Sequence, residues 1–137
     1  MSEDLWMVEA IIQPFKLEPV TVALAQVPGF VGVTVTDCRG LGQGRIDPIV
    51  GQSVTDHEPA GSSSAHPARR ASDVDLDNFA PKVKLEIAVS GRALADAVVD
   101  TISRTAHTGR KGDGRIFLWP ITRTIRVRTF ESDEKAI

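Results

Sequence analysis

The chain has 137 residues, of which 42% are apolar and 25% charged, and a formal net charge of −2. This length fits one domain with a modest core and is too short for two independent domains. The slightly negative charge argues against a nucleic-acid binder, and no apolar run approaches the ~20 residues that cross a bilayer. The first residues lack the basic and apolar regions of a secretory signal, and the single cysteine cannot form an internal disulfide. We therefore expect a cytoplasmic protein without direct membrane insertion.

The first part of the chain predicts a strand, a helix and a second strand. Residues 5–12 are apolar enough for a strand with one face formed by Trp6, Val8, Ala10 and Ile12. Residues 17–27 have the spacing of an amphipathic helix, whose apolar side contains Val20, Ala23, Leu24 and Val27. Residues 33–39 are alternating and β-branched, which indicates a second strand.

A long segment without periodicity follows, from about residue 43 to residue 78. Its composition is rich in serine, glycine and proline and poor in large aliphatic side chains. Such a segment cannot bury enough apolar surface to offset its ordering entropy, so we expect a mobile loop. Loops of this length inside a compact domain are commonly functional or disordered.

The remaining residues predict strand, helix and strand again. Strand 83–89 has Val83, Leu85, Ile87 and Val89 on one face. Helix 93–106 carries a stripe of Leu94, Val98, Thr101, Ile102 and Thr105. Gly109 is placed to close this helix in the left-handed conformation. Strands 115–121 and 124–129 follow, and Pro120 indicates an end or an edge of the first. This order predicts an α+β, ferredoxin-like split βαβ fold with a short additional C-terminal strand.

The stretch "TGRKGDGRIF", residues 108–117, is the first candidate site. Its glycines permit backbone conformations that turn several N–H groups toward one point, and such a nest binds phosphate. Nearby positive charge comes from Arg110, Lys111 and Arg115. The alternative is a helix cap followed by a turn in which Gly112–Gly114 only reverses the chain.

The stretch "TIRVRT", residues 124–129, is the second candidate site. On a strand, Arg126 and Arg128 would point to the same side while Ile125 and Val127 face the core. Two adjacent guanidinium groups suit a polyphosphate. The alternative is a solvated sheet face, where most surface arginines lie.

Five segments together resemble the PII nitrogen-regulatory signalling family: "EAIIQPFKLEPV", "VTVTDCRGLG", "FAPKVKLEIAV", "TAHTGRKGDGRIFLWP" and "IRVRTFESDEKAI". They occur in the family's order and cover nearly the whole chain outside the long loop. The resemblance implies a homotrimeric, non-catalytic signal-transduction protein that binds ATP or ADP in clefts between subunits. It also implies that residues 43–78 form a T-loop, which regulates a target transporter or enzyme in nitrogen or carbon metabolism.

By matched motif, the resemblance also implies a set of nucleotide-binding residues, with no catalytic residue and no resident metal site. The two arginines would come from the neighbouring subunit, and residues 40–42 would form the first hinge of the T-loop. The full set is Ile11, Thr34, Gly40, Leu41, Gly42, Glu86, Ala88, Gly112, Asp113, Gly114, Arg115, Arg126 and Arg128.

The chain departs from the family pattern at several positions. Arg115 stands where the family usually has lysine, and Gln43-Gly44 stands where it has an Arg-Gln pair whose glutamine helps to hold Mg²⁺ and 2-oxoglutarate. Lys82, the usual partner of the 2-oxoglutarate carboxylate, is present. Binding of Mg²⁺ and of 2-oxoglutarate or another anion at Gln43 and Lys82 therefore stays open, with weak or no 2-oxoglutarate binding expected. The chain has no tyrosine, so it lacks the T-loop tyrosine that is modified in several branches of the family.

Three other functions stay open. Divergent PII-like proteins linked to inorganic-carbon uptake or carboxysomes sense bicarbonate together with an adenine nucleotide. A weak ATPase ranks lower, because the sequence offers no general base in a shaped pocket. The last alternative is a ferredoxin-like scaffold without a small ligand, since this fold carries many unrelated functions.

Overall fold

The computed structural model describes residues 4–42 and 79–137, and the predicted T-loop at 43–78 lies outside them. The elements are β1 (Leu5–Ile12), α1 (Leu17–Ala25), β2 (Thr34–Gly40), β3 (Ala80–Ser90), α2 (Arg92–Ala106) and β4 (Gly114–Pro120). Short 3₁₀ turns occupy Pro14–Lys16 and Asp133–Ala136. The chain divides into two compact units, one formed by Met1–Cys38 with Lys82–Ile137 and the other by Arg39–Pro81. None of the helices in the described ranges is long and apolar enough to span a membrane.

The four strands form one sheet in the order β2-β3-β1-β4. Strand β1 pairs antiparallel with both of its neighbours, so that Val8 lies opposite Ile87 of β3 and Leu118 of β4. Two helices that connect strands in this order make the α+β, ferredoxin-like arrangement that the sequence predicts. Strand β4 lies at an edge and ends at Pro120, as expected for a residue without an amide hydrogen.

The core lies between one face of this sheet and the two helices. The predicted alternation is confirmed on both central strands. Val8, Ala10 and Ile12 of β1 are buried, as are the four predicted residues of β3, Val83, Leu85, Ile87 and Val89. Val20 and Leu24 of α1 pack against the same face. Paired residues of a sheet point to the same side, so this register directs one complete apolar face toward the helices.

The buried stripe of α2 differs from the predicted one. It consists of Ala95, Val98, Ile102 and Ala106, so the predicted Val98 and Ile102 are confirmed. The predicted Leu94 is only partly buried but packs against the core, whereas Thr101 and Thr105 do not belong to the stripe. Both threonine hydroxyls instead donate to helix carbonyls four residues earlier, at 2.8 Å and 2.7 Å. The helix thus turns its small alanines toward the sheet.

The start of α2 is capped by Asp4, the residue directly before β1. Gly91 occupies the N-cap position and has no side chain to offer. Asp4 supplies it, because Oδ2 accepts from the Arg92 amide at 3.0 Å and the Asp4 carbonyl accepts from the Gly91 amide at 2.6 Å. The Trp6 indole donates to Oδ1 at 2.5 Å, and this bond, followed by the Arg92 amide, lowers the pKa of Asp4.

The predicted strand at 124–129 is wrong. Ile125 forms only an isolated bridge with Ser132, and the chain reverses between them. The Phe130 amide donates to the Arg126 carbonyl at 2.8 Å, and Phe130 has a φ of 61°. Ile125 and Val127, predicted to face the core, are 46% and 87% exposed. The alternating pattern was misleading because the turn begins inside it.

Candidate functional site: a glycine-rich loop beside the central strand

Three glycines give the connection between α2 and β4 its shape. Gly109, Gly112 and Gly114 have φ values of +83°, +94° and +116°. Residues other than glycine rarely adopt such φ values, so the prediction of special backbone conformations here is confirmed. We expected Gly109 to cap the helix, but the C-cap is His107, two residues earlier. The glycines therefore shape the loop itself.

Gly114 brings the loop into direct contact with the backbone of β1. It lies opposite Ile12 in the β1–β4 pairing. A Cβ atom at this position would lie 1.8 Å from the Ile11 carbonyl oxygen and 3.2 Å from the Ile12 Cα. No side chain can be accommodated at that distance without moving backbone. This close approach anchors the loop's C-terminal end on the central strand.

The carboxylate of Asp113 turns back into its own loop. Oδ2 accepts from the Thr108 amide at 2.7 Å and from the Gly109 amide at 2.9 Å, while Oδ1 accepts from the Thr108 hydroxyl. The hydroxyl bond, followed by the two amides, lowers the pKa of Asp113. The His107 ring lies 3.9 Å away and pairs with the carboxylate only when protonated.

Lys82 reaches the middle of the loop from β3. Its Nζ donates to the Gly112 carbonyl at 2.6 Å, across 30 positions of sequence. The space beside Gly112 is also close to Gln13, whose Nε2 would lie 3.2 Å from a Cβ atom. The sequence analysis considered Lys82 only as an anion ligand and did not identify Gln13. No sequence signal joins either residue to the loop, since β-sheet register brings them there.

The sheet face opposite the helices carries the predicted nucleotide-binding residues of β1 and β3. Ile11 lies directly between Arg115 and Lys84, so the structure brings Ile11 and Arg115 together. Glu86 and Ala88 follow on the same face, two and four residues further along β3. Lys84 Nζ lies 3.7 Å from Glu86 Oε1 and 3.9 Å from Glu9 Oε1. Ile11, Arg115, Glu86 and Ala88 therefore share a single surface.

The two predicted arginines do not join this surface within the subunit. The Arg126 guanidinium donates to the Ile137 carbonyl at 3.2 Å, and Arg128 lies exposed on the turn at 127–129. The prediction that they point side by side from a strand is wrong, because no strand forms. Across residues 4–42 and 79–137, neither side chain hydrogen-bonds to the 108–114 loop.

The other predicted site residues lie in β2 and directly after it. Thr34 is the exposed first residue of β2, Gly40 is its last residue, and Leu41 and Gly42 follow. Gln43 lies outside the described residues. Within the two described ranges there is no cluster of three side chains that could hold a metal ion.

A cavity of about 410 Å³ lies between α2 and β4, beside the loop. Its apolar wall includes Ile12, Ile102 and Ile116, and its rim includes Asp113 and Arg115. The loop thus adjoins the end of α2 on one side. On the other side it leads directly to Arg115, which lies on the open sheet face.

Comparisons with known proteins agree with this architecture. The family described as "Nitrogen regulatory protein P-II" matches residues 5–131. The chain is 42% identical over 130 residues to "Nitrogen regulatory protein P-II" of Klebsiella oxytoca, which covers 95% of this chain and 97% of that protein. It is 37% identical over 131 residues to "Nitrogen regulatory protein GlnK" of Escherichia coli strain K12, covering 96% and 98%. Arabidopsis thaliana PII, solved bound to citrate, superimposes with a TM-score of 0.68 at 34% identity, covering 98% of this chain and 94% of that one. This chain belongs to the nitrogen regulatory P-II protein family.

Proposed function

We propose that the protein is a homotrimeric sensor of ATP or ADP that regulates a target protein through the segment at 43–78. The observation that carries the proposal is the glycine-rich loop. Three of its residues have positive φ, and within the described part of the chain the amides of Lys111 and Gly112 donate to no backbone carbonyl. Amides that are free to converge on a ligand form an anion-binding nest. Lys111 and Arg115 add positive charge beside them.

The adenine base would lie on the adjoining open sheet face. Ile11 offers a half-buried apolar surface next to Arg115, and Ala88 and Glu86 continue that surface along β3. Apolar side chains can cover the base while a few polar groups fix its orientation, as in most small-molecule sites. The phosphates would then extend from this face toward the loop.

A neighbouring subunit would complete the site. Arg126 and Arg128 do not reach the loop of their own subunit, so a second copy would have to present them. Exposed apolar side chains on the sheet support association. Phe117 and Trp119 of β4 lie on the open face and are 41% and 42% exposed, and Val35 of β2 is 42% exposed. A trimer of 14.8 kDa chains has a mass of about 44 kDa, which light scattering would measure. A stable monomer at micromolar concentration would contradict this assembly.

Regulation rather than catalysis fits the residues. Residues 40–42 precede the segment at 43–78 and would act as its hinge, and the target would be a transporter or a metabolic enzyme. A nucleotide can shift such a segment only by its differential affinity for two conformations. The sequence offers no motif that identifies a general base for hydrolysis, so we do not favour an ATPase.

Lys82 bears on the second ligand. Its ammonium group is bonded to the Gly112 carbonyl at 2.6 Å, so a carboxylate ligand would have to compete with that bond. We therefore propose that 2-oxoglutarate binds weakly and that a smaller anion such as bicarbonate remains an alternative. Calorimetry with ATP, ADP and AMP, each with 2-oxoglutarate or bicarbonate and with or without Mg²⁺, would decide. Tight, Mg²⁺-dependent binding of 2-oxoglutarate would contradict the proposal.

The nucleotide site is tested by the double variant Arg126→Ala/Arg128→Ala. Each lost charge-assisted hydrogen bond costs about 1.5–3 kcal/mol, so affinity for ADP should fall by about 100-fold or more. Arg104→Ala is the matched control, because this exposed arginine pairs with Asp100 on α2 and, within residues 4–42 and 79–137, with no other carboxylate. Unchanged affinity in the double variant, with the control also unchanged, would refute the site.

A further inference from the structure

An acidic side chain in the middle of a phosphate-binding loop requires an explanation. Asp113 lies between Gly112 and Gly114, and its charge would repel the phosphates of the proposed ligand. Its carboxylate is only partly exposed, with 24% of the side chain accessible. The charge is therefore either a ligand to something cationic or occupied by the protein itself.

The contacts favour the second interpretation. Both oxygens of Asp113 accept hydrogen bonds within the loop, from the Thr108 hydroxyl, the Thr108 amide and the Gly109 amide. Thr108 and Asp113 are five positions apart and enclose the residues whose amides would meet the phosphates. The Arg110 amide in turn donates to the Thr108 hydroxyl oxygen at 3.2 Å, which continues the network.

We propose that Asp113 is a positioning residue, which holds the 108–114 loop in its nucleotide-binding shape before any ligand arrives. This inference rests on the proposed function. The Asp113 carboxylate closes the loop at its start, the Lys82 bond to Gly112 holds its middle, and the contact of Gly114 with Ile11 holds its end. A loop ordered in advance loses less conformational entropy on binding, so its affinity is higher.

A positioning role predicts that loss of the Asp113 charge weakens ADP binding, whereas simple repulsion of the phosphates predicts that it strengthens binding. In Asp113→Asn the side chain keeps its shape but loses its charge and one acceptor oxygen, so some of the loop's donors face an NH₂ group. Affinity for ADP, measured in EDTA without Mg²⁺, should fall about 10-fold, and it should fall by a similar factor with Mg²⁺. Tighter binding would mean that repulsion dominates. A loss confined to Mg²⁺-containing solution would mean that Asp113 is a cation ligand. Either result overturns the proposal.

Thr108→Val provides an independent variant if Asp113→Asn does not fold. It removes only the hydroxyl, so ADP affinity should fall by about 3-fold. In the double variant the loss should be smaller than the product of the two single losses, because both act through one network. A fully multiplicative loss would contradict a shared brace.

Amide hydrogen exchange in the ligand-free protein gives a readout that does not depend on nucleotide. The Thr108 and Gly109 amides should exchange faster in Asp113→Asn, while the unfolding transition in urea stays close to that of the wild type. Unchanged exchange, or normal ADP affinity in a variant that is merely less stable, would overturn the proposal. If the wild-type protein binds no adenine nucleotide, the proposed function itself fails, and the exchange result still tests the brace.

Discussion

The 108–114 loop and the C-terminal segment, residues 121–137, both carry cations, but they are held in different ways. The loop is braced internally by the Asp113 carboxylate and is tied to other elements by the Lys82 side chain of β3 and by the close approach of the Gly114 backbone to β1. The C-terminal segment is held mainly by backbone bonds within itself, such as those between Arg126, Phe130 and Glu131. One region is therefore shaped within the single chain. The other presents its side chains outward.

The C-terminal segment also exposes large apolar side chains. Val127 and Phe130 are 87% and 84% exposed, and Phe130 holds its exposed ring on a left-handed backbone. A region with few side-chain contacts gains little from them in the isolated subunit. If the proposed trimer forms, the loop's part of the nucleotide site is already shaped in one chain, whereas the part formed by Arg126 and Arg128 needs a neighbouring chain. Four experiments test this difference between the two regions.

The largest effect is expected for Gly114→Ala. The new Cβ would meet the Ile11 carbonyl oxygen, and the positive φ adds strain, so unfolding in urea should show a loss of about 2–6 kcal/mol. Gly109→Ala is the matched control, because its Cβ would meet only the His107 ring at 3.7 Å. That variant should lose about 1–2 kcal/mol from the left-handed backbone alone. Equal losses would show that the contact with β1 does not anchor the loop.

Two isoleucines compare the core under the loop with the C-terminal segment. Ile102 is fully buried beside the loop, so Ile102→Ala should cost about 2–5 kcal/mol of unfolding free energy. Ile125 is 46% exposed, and Ile125→Ala should change the free energy by less than about 1 kcal/mol. Calorimetric or urea unfolding of both variants provides the measurement. A large loss at Ile125 would mean that a neighbouring subunit covers it.

A small gain is expected for Phe130→Gly. Glycine adopts a φ of 61° without the steric penalty that phenylalanine bears, so stability should rise by about 0.5–1 kcal/mol. Val127→Gly, in the same turn but without a positive φ, should instead be slightly destabilising. Thermal unfolding of the two variants checks the difference in sign. A destabilised Phe130→Gly would reveal packing of the ring in the assembled protein.

The smallest effect is expected when acid protonates the Asp113 carboxylate. The folded pKa of Asp113 lies below its ordinary 3.8, so its contribution to stability is complete above that pH and disappears as the pH falls through the lowered pKa. NMR spectra recorded from pH 6 to pH 2.5 should show the Thr108 and Gly109 amides shifting at the acid end. The Phe130 and Arg126 amides, which donate to backbone carbonyls, should shift less. Loop amides that titrate with a midpoint at or above 3.8 would contradict the role of the carboxylate.

Much of the fold was predictable because its signals are local. Alternation along β1 and β3 identified the buried faces, since a strand exposes every second residue to the same side. The glycines of the 108–114 loop likewise indicated positive φ values directly. The C-terminal strand failed for the same reason that the others succeeded. Its four alternating residues match a strand pattern but are too few to overrule a turn that starts among them.

Sequence patterns alone were thus enough to predict the four strands of the sheet, its two helices, the glycine-rich loop and the family, but they wrongly predicted a strand at 124–129. The tertiary structure decided which partners meet. Lys82 reaches Gly112 across 30 positions and Asp4 caps α2 across 88, and both pairings depend on the order of the strands in the sheet. The direction of the Asp113 carboxylate was also undecided, because a charged side chain in a glycine-rich turn can face a ligand or its own backbone. Only the folded loop placed the Thr108 and Gly109 amides where that carboxylate could accept from both, since local composition does not specify which donors converge in space.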